Sequence, residues 1–210
     1  MNEKDIILIG GGGHCKSVID VAEDAGYNII GILDVKENIG KDVLGYPIIG
    51  TDDCIADCVN NAYFVITVGH IKNNNLRKNL YRQVLISGGK FATLIAPDSH
   101  VSKHAIIEEG SVIMHKAMVN ADAKIGKGCI INTFANIEHD AVIGDFCHIS
   151  TGAMINGNCM VGNSTFVGSG AVLSNGVSIP EDSIIAGGSV VRKTLKTSGI
   201  YAGNPAIKYK

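Results

Sequence analysis

From Ile95 to Val191 every sixth residue is aliphatic, and the series reads I, V, I, I, V, I, I, I, I, I, I, V, V, L, I, I, V without a slip. The residue two places before each member, from Ser99 onward, is Ala, Ser, Cys or Thr, with Val177 the one larger side chain. A helix with 3.6 residues per turn cannot keep a six-residue period on one face. A parallel β-helix can, because each short strand sends one aliphatic inward and each corner takes a small residue. Glycine follows the aliphatic at Gly126, Gly144 and Gly162, eighteen residues apart, which is three hexapeptides or one triangular coil. At a strand spacing of ~4.8 Å, about five and a half coils make a prism about 26 Å tall.

Residues 1–96 follow a different pattern. "DIILIG" is a short apolar run ending at Gly10, followed by "GGGH", an amphipathic stretch from about Lys16 to Ala25, and a break at Gly26. "NIIGILD", "YFVITVG" and "KFATLIA" read as second, third and fourth strands, with helices expected around Asp52–Asn60 and Asn75–Ser87. Strands alternating with helices imply a parallel sheet with crossovers. The expected organisation is a small Rossmann-like α/β domain over 1–96 and an all-β parallel β-helix domain over 97–210.

Mixed charge with a net value of −2 gives no concentrated basic face, which argues against a nucleic-acid partner. No apolar run approaches the ~20 residues of a membrane helix, and the four apolar residues after a charged start are too few for a signal peptide. A cytoplasmic location with reduced thiols is therefore expected. None of Cys15, Cys54, Cys58, Cys129, Cys147 and Cys159 forms a C-x-x-C pair. Cys129, Cys147 and Cys159 fall at small interior positions of the repeat, and Cys54 and Cys58 read as buried small residues.

Within the repeat, "NIEHDAVIG" places Glu138, His139 and Asp140 between the inward Ile137 and Ile143. His139 lies two residues after an inward aliphatic, near a corner where side chains can point outward. One coil onward the same corner holds Gly157, whose lack of a side chain suggests room for a ligand. A neutral imidazole suits the removal of a proton near neutrality. Asp140 is the group expected to orient it, and Glu138, on the other strand face, to point elsewhere. A backbone N–H near Gly157 is the plausible donor to a developing oxyanion. No Cys or Ser has an obvious activating base, so no covalent acyl-enzyme is implied.

Three other motifs carry competing readings. Gly10-x-Gly12 after a strand, with Asp34 about twenty residues on, fits the start of a dinucleotide fingerprint, but Cys15 occupies the third glycine position. A nucleotide-linked sugar, its phosphates drawn to the helix N-terminus near His14, is favoured over NAD. His100, His104 and His115 lack a ligand pattern and read as surface histidines; no metal is expected. "KNNNLRKNLYR" (72–82) reads as a solvated basic helix face, with phosphate steering as a lesser possibility.

The hexapeptides that close with "GGSVV" and "YAGNPAIK", behind an N-terminal domain bearing "GGGGH", resemble the left-handed β-helix acyltransferases, which are trimers. The whole chain is similar to the bacterial sugar acyltransferases that include bacillosamine-pathway UDP-4-amino-sugar N-acetyltransferases, perosamine N-acetyltransferases and sialic acid O-acetyltransferases. That resemblance implies left-handedness, a homotrimer, acetyl-CoA as donor and a nucleotide sugar as acceptor. It makes His139 the general base, Asp140 its orienting acid and Asn132 a further site residue. It places His148 near the thioester and pantetheine, with Gly157, Ser169 and Gly187 along the rest of the donor. It assigns Gly12, Gly13 and His14 to the diphosphate, and Asp34, Val35 and Gly69 to the base and sugar. The chain departs from the bacillosamine enzymes at Gly12 (Ser there), Val35 (an acid) and His70 (Asn). The expected activity is acetyl transfer to the amino group of a nucleotide-activated amino sugar for glycan or surface polysaccharide synthesis. Sugar O-acetylation and a non-catalytic β-helix scaffold are its rivals.

Overall fold

The computed structural model describes residues 2 and 4–209. The N-terminal sheet has the order β3-β4-β2-β1-β5, from β1 (Asp5–Ile9), β2 (Asn28–Leu33), β3 (Asp42–Val43), β4 (Tyr46–Gly50) and β5 (Tyr63–Ile66). β1 pairs in parallel with β2 and β5, and β2 with β4, whereas β3 and β4 are antiparallel. Helix α1 (Gly13–Asp24) follows β1, the single turn α2 (Ile55–Cys58) precedes β5, and α3 (Asn75–Ile86) follows it. The chain leaves β1 toward β2 on one side and returns to pair β5 on the other. The crevice between the loops after β1 and β5 is thus the topological switch point, where open α/β sheets bind ligands.

Expectations for this half are corrected at several points. The strand expected over 90–96 does not join the sheet: Phe91 makes a single bridge to Phe64, and Leu94–Ile95 becomes the first rung of the β-helix. The hairpin β3–β4 was not expected. It turns through Leu44 (φ 53°) and Gly45 (φ 86°), both left-handed, as a tight two-residue hairpin requires. A leucine is a rare occupant of that conformation, so the turn left little trace in the sequence. The helix expected over Asp52–Asn60 shrinks to short turns over Asp52–Cys54 and Ile55–Cys58, and Cys54 and Cys58 are half-buried.

From Leu94 the chain builds two-residue rungs on three parallel faces. The first face stacks 94–95, 112–113, 130–131, 148–149, 166–167 and 184–185, closed by Ile200–Ala202 and Ile207–Lys208. The second stacks 100–101 through 190–191 and the third 106–107 through 178–179, each rung paired eighteen residues away. The inward aliphatics from Ile113 to Val191 are at most 3% exposed and form one core with the small corner residues. The expected series is therefore correct in register. Its first three members differ: Ile95 is exposed, and Val101 and Ile107 are half-buried, because no coil lies beneath them.

The N-terminal domain covers the first face. Val112 and Met114 join its core with α1, and Tyr81 stacks on Phe91 at 4.2 Å with its edge toward Phe146. Arg77 links the two halves, which corrects the expectation of a solvated basic face for 72–82. It is 1% exposed and shares the inward stripe of α3 with Leu80, Tyr81 and Val84. Its guanidinium donates to the carbonyls of Ile66 and Val68 at the end of β5 and to that of Gly128 on the β-helix, the last at 2.9 Å. Burial lowers its pKa to about 10, so it keeps its charge at neutral pH.

Arg77→Leu leaves three buried carbonyls without a donor, at about 1 kcal/mol or more each. The expected outcome in urea is a loss of about 3 kcal/mol and separation of the two halves into distinct transitions. A single unshifted transition would show that the arginine does not hold the domains together.

Candidate functional site

Two clusters hold most of the residues singled out above, one at an edge of the prism and the other on a face which that edge does not border. The first is the turn between the second and third faces. His139 and Asp140 are exposed there, with His139 Nδ1 2.7 Å from Asp140 Oδ2. Asp140 occupies the left-handed position of its turn (φ 60°) beside the imidazole. This hydrogen bond, and secondarily the carboxylate charge, raises the His139 pKa above the ordinary histidine value of 6.5. Glu138 takes no part. Its carboxylate accepts from Asn136 Nδ2 at 3.0 Å and Asn120 Nδ2 at 2.8 Å, and the bond from Asn136 is the main cause of its lowered pKa.

The room expected over Gly157 is taken up by His139 itself. A Cβ on Gly157 would lie 2.7 Å from His139 Cε1 and 2.8 Å from Nε2. Glycine at this corner seats the imidazole against the backbone of the next coil. With Nδ1 held by Asp140, Nε2 is the nitrogen left for chemistry.

The second cluster lies where the first face meets the N-terminal domain. His148 is the outward residue of its rung, and it is 9% exposed. Its Nδ1 donates to the carbonyl of His70 (2.9 Å), so Nε2 is the acceptor for Asn132 Nδ2 at 3.2 Å. Asn132 is fixed in turn by the N–H of Thr133, which donates to Oδ1 at 2.7 Å. The His148 ring lies 5.6 Å from His70, 6.4 Å from His14 and edge-on to Phe166 at 5.1 Å. Burial, reinforced by the Arg77 charge, lowers His14 and His70 to about 3; burial lowers His148 to about 4. All three are neutral at physiological pH. His14 Nε2 and both ring nitrogens of His70 are buried without a hydrogen-bond partner among the described residues.

His14 lies in the first turn of α1, whose N-cap is Gly12. Gly12 and Gly13 are exposed, and a Cβ on either would meet nothing within 4 Å. Gly69, at the mouth of the β5 loop, lies against His14 (an added Cβ would be 3.7 Å from that of His14). Asp34 at the end of β2 accepts from the N–H of Gly11 (3.2 Å), the N–H of Val35 (2.8 Å) and Asn38 Nδ2 (3.1 Å). It pins the glycine turn, while the Val35 side chain is exposed. Ser169 and Gly187 lie one coil apart on the turn that leaves the first face, both exposed, with Ser169 Oγ 3.0 Å from Ser150 Oγ. The glycines beside them at this edge, Gly152, Gly170 and Gly188, have left-handed backbones and open space beyond their α-carbons. This gives a smooth polar edge against which an extended chain can lie.

His70 and Arg77 were missed as site residues. Arg77 carried a readable signal, since it falls in step with Leu80, Tyr81 and Val84 at helical spacing. Of the histidines read as surface residues, His100 and His104 are exposed, and His115 is half-exposed with Nδ1 2.9 Å from Asp98 Oδ1. No group of three or more potential metal ligands occurs among the described residues.

Gly157→Ala should push the His139 ring off its seat and lower turnover in any reaction His139 serves, with little change in stability because the ring it displaces is exposed and can swing into solvent. Asp140→Asn should bring the His139 pKa down toward the ordinary value, read from its Cε1–H shift in an NMR titration; an unchanged pKa would remove Asp140 as the cause. The depressed pKa values of His14, His70 and His148 fix another sign. Below about pH 6.5 the unfolded chain takes up protons that these folded histidines refuse until about pH 4 or lower, so stability falls on acidification through that window. A urea midpoint that does not change between about pH 7 and 5 would contradict it.

Residues 5–84 match the family described as the PglD N-terminal domain, and residues 122–157 match the bacterial transferase hexapeptide (six repeats). The chain is 36% identical over 118 residues to UDP-N-acetylbacillosamine N-acetyltransferase of Bacillus subtilis (strain 168). That match covers 53% of this chain and 51% of the relative, so it spans about half of that protein's length. Among solved structures, the acetyltransferase domain of PglB from Neisseria gonorrhoeae FA1090, in complex with acetyl coenzyme A, is 32% identical with a TM-score of 0.91. That superposition covers 99% of this chain and 100% of the other. A perosamine N-acetyltransferase from Caulobacter crescentus, solved as a histidine mutant with CoA and GDP-perosamine, is 32% identical with a TM-score of 0.91. The coverages there are 97% and 95%. With both family matches in the same order along the chain and full-length agreement in structure, the protein belongs to the left-handed β-helix sugar acyltransferases that carry a PglD-type N-terminal domain.

Proposed function

We propose that this protein transfers an acetyl group from acetyl-CoA to the amino group of a nucleotide-activated amino sugar, with His139 as general base. The observation that carries the reading is the 2.7 Å contact between His139 and Asp140 over the seat made by Gly157. It leaves Nε2 as a base strengthened by a neighbouring carboxylate. Relatives named as N-acetyltransferases of bacillosamine and perosamine substrates favour an amine over a hydroxyl acceptor.

In this reading His139 Nε2 takes the amine proton as nitrogen bonds to the thioester carbon, and it returns that proton to the sulfur as the carbon–sulfur bond breaks. Asp140 holds Nδ1–H and stabilises the imidazolium in between. The N–H of Gly157 is the candidate donor to the oxyanion. Residues 97–210 hold the donor: its arm runs along the Ser169 and Gly187 edge, with the thioester near Asn132 and His148. Residues 1–96 hold the acceptor, its diphosphate at Gly12, Gly13 and His14 and its base and sugar against Asp34, Val35 and Gly69. The product enters glycan or surface polysaccharide synthesis in the cytoplasm.

One copy cannot assemble this site alone, because His139 projects from one edge of the prism and His14 and His148 lie on a face that this edge does not border. A homotrimer, in which one copy's His139 edge meets its neighbour's first face, brings them together; a contact between two different surfaces closes into a ring. The second and third faces expose Met118, Met154, Ile106 and Met160, apolar surface that a neighbouring copy would cover.

His139→Ala should lower turnover by roughly 10²–10⁴ with little change in the KM for acetyl-CoA. kcat/KM of the wild type should rise with pH through the His139 pKa, since the neutral imidazole is the active form. Asp140→Asn should move that limb to lower pH. Mixing His139→Ala with His14→Ala under subunit exchange should restore part of the turnover, because some sites then draw both histidines from unmutated chains. Full turnover by His139→Ala would sink the mechanism, whereas absence of restoration in the mixture would sink only the shared site.

A further inference from the structure

On the far edge of the first face, away from Ser169 and Gly187, lies a polar cavity of about 170 Å³. Its wall includes His70, Lys72, Asn73, Asn75, Ser164 and Asp182. Of these only His70 touches the second cluster, through its carbonyl bond to His148, and none was given a part in the acetyl transfer. The cavity lies at the start of α3, a twelve-residue helix whose first turn contains no acidic residue. Opening N–H groups of a helix have no carbonyl of their own helix to bind, and they carry the positive end of its dipole. The capping residue Asn74 turns away, donating through Nδ2 to the carbonyl of Phe146 at 3.1 Å, and Asn73 Oδ1 takes up only the N–H of Asn75.

The second, independent observation is His70. It is 7% exposed, it lines the cavity, and neither ring nitrogen has a hydrogen-bond partner among the described residues. A buried imidazole with two unpaired nitrogens is costly, and such groups are found where a ligand completes the bonding. The surrounding charge gives the sign. Arg77 and Lys78 both act on His70 as positive neighbours, and Lys72 has no ion pair among the described residues. Asp182 is the one carboxylate in the wall.

We propose that this cavity is an anion site for a phosphate group. Lys72, the amide groups of Asn73 and Asn75, the Ser164 hydroxyl and the start of α3 supply donors, and His70 donates through one ring nitrogen. Asp182 opposes a fully ionised phosphate and leaves room for one that carries a proton or a hydroxyl-bearing substituent. The phosphate of a nucleotide, a phosphate of CoA and free phosphate share this chemistry. Since the carbonyl of His70 holds the His148 ring, an occupant that bonds the His70 side chain also reaches the second cluster.

The test is calorimetric titration of the full chain with inorganic phosphate, UDP and CoA, on wild type, Lys72→Ala, Asp182→Asn and His14→Ala. Wild type should bind inorganic phosphate saturably. Lys72→Ala should weaken it about tenfold, the scale of one charge-assisted hydrogen bond. Asp182→Asn should tighten it, and His14→Ala should leave it unchanged. If Lys72→Ala also weakens UDP or CoA, that ligand supplies the phosphate; if it weakens neither, the site serves free phosphate. Absence of saturable phosphate binding, or binding indifferent to both Lys72 and Asp182, overturns the proposal. Because the readout is binding, a failed acetyl-transfer assay would leave this result standing.

Discussion

The structure depends on the stacking of identical backbone rungs at an eighteen-residue interval. Parallel hydrogen bonds between coils, such as those from Ile130 N to the Cys147 carbonyl and from His148 N to that of Thr165, hold each residue directly over its counterpart one coil away. Whatever occupies a position is therefore judged against the residues above and below it. His139 can lie flat because the next member of its column is Gly157. His148 is exceptional because its column otherwise reads Leu94, Val112, Ile130, Phe166 and Ile184, the apolar strip on which the N-terminal domain rests.

The two histidines thereby acquire opposite properties from one scaffold. His139 stands in solvent against a carboxylate, and its imidazolium is favoured. His148 is enclosed between domains near Arg77, and its imidazolium is disfavoured. One is suited to move a proton and the other to hold a fixed tautomer, with Nδ1–H committed to the His70 carbonyl. Environment, rather than residue type, divides the roles.

The prism was legible in the sequence because a six-residue period with small residues two places earlier has one physical solution. The outward corner position of His139 and its contact with Asp140 were legible for a related reason: charged groups beside an inward aliphatic have no task in the core. What escaped reading depended on contacts between the halves. Arg77 sits at an interior position of α3, yet its charge suggested solvent; only the carbonyls at the end of β5 and at Gly128 make its burial tolerable. The strand expected over 90–96 failed because its last residues already belong to the eighteen-residue series, in which Leu94 and Ile95 pair with Val112 and Ile113 instead of joining the sheet. The use of Gly157 was misjudged for another reason: the eighteen-residue interval put it over His139, but not that the imidazole itself lies in the space the glycine leaves.

The reach of Arg77 also orders events along the chain. Two of its carbonyl partners, Ile66 and Val68, precede it, but the third belongs to Gly128, fifty-one residues later. During synthesis the N-terminal sheet and α3 emerge while one edge of that guanidinium still faces water, and the apolar surface destined for Val112 and Met114 stays uncovered. The first domain can thus collapse early but settles only when the second complete coil arrives. The β-helix acts as an internal template on which the preceding domain completes its own core.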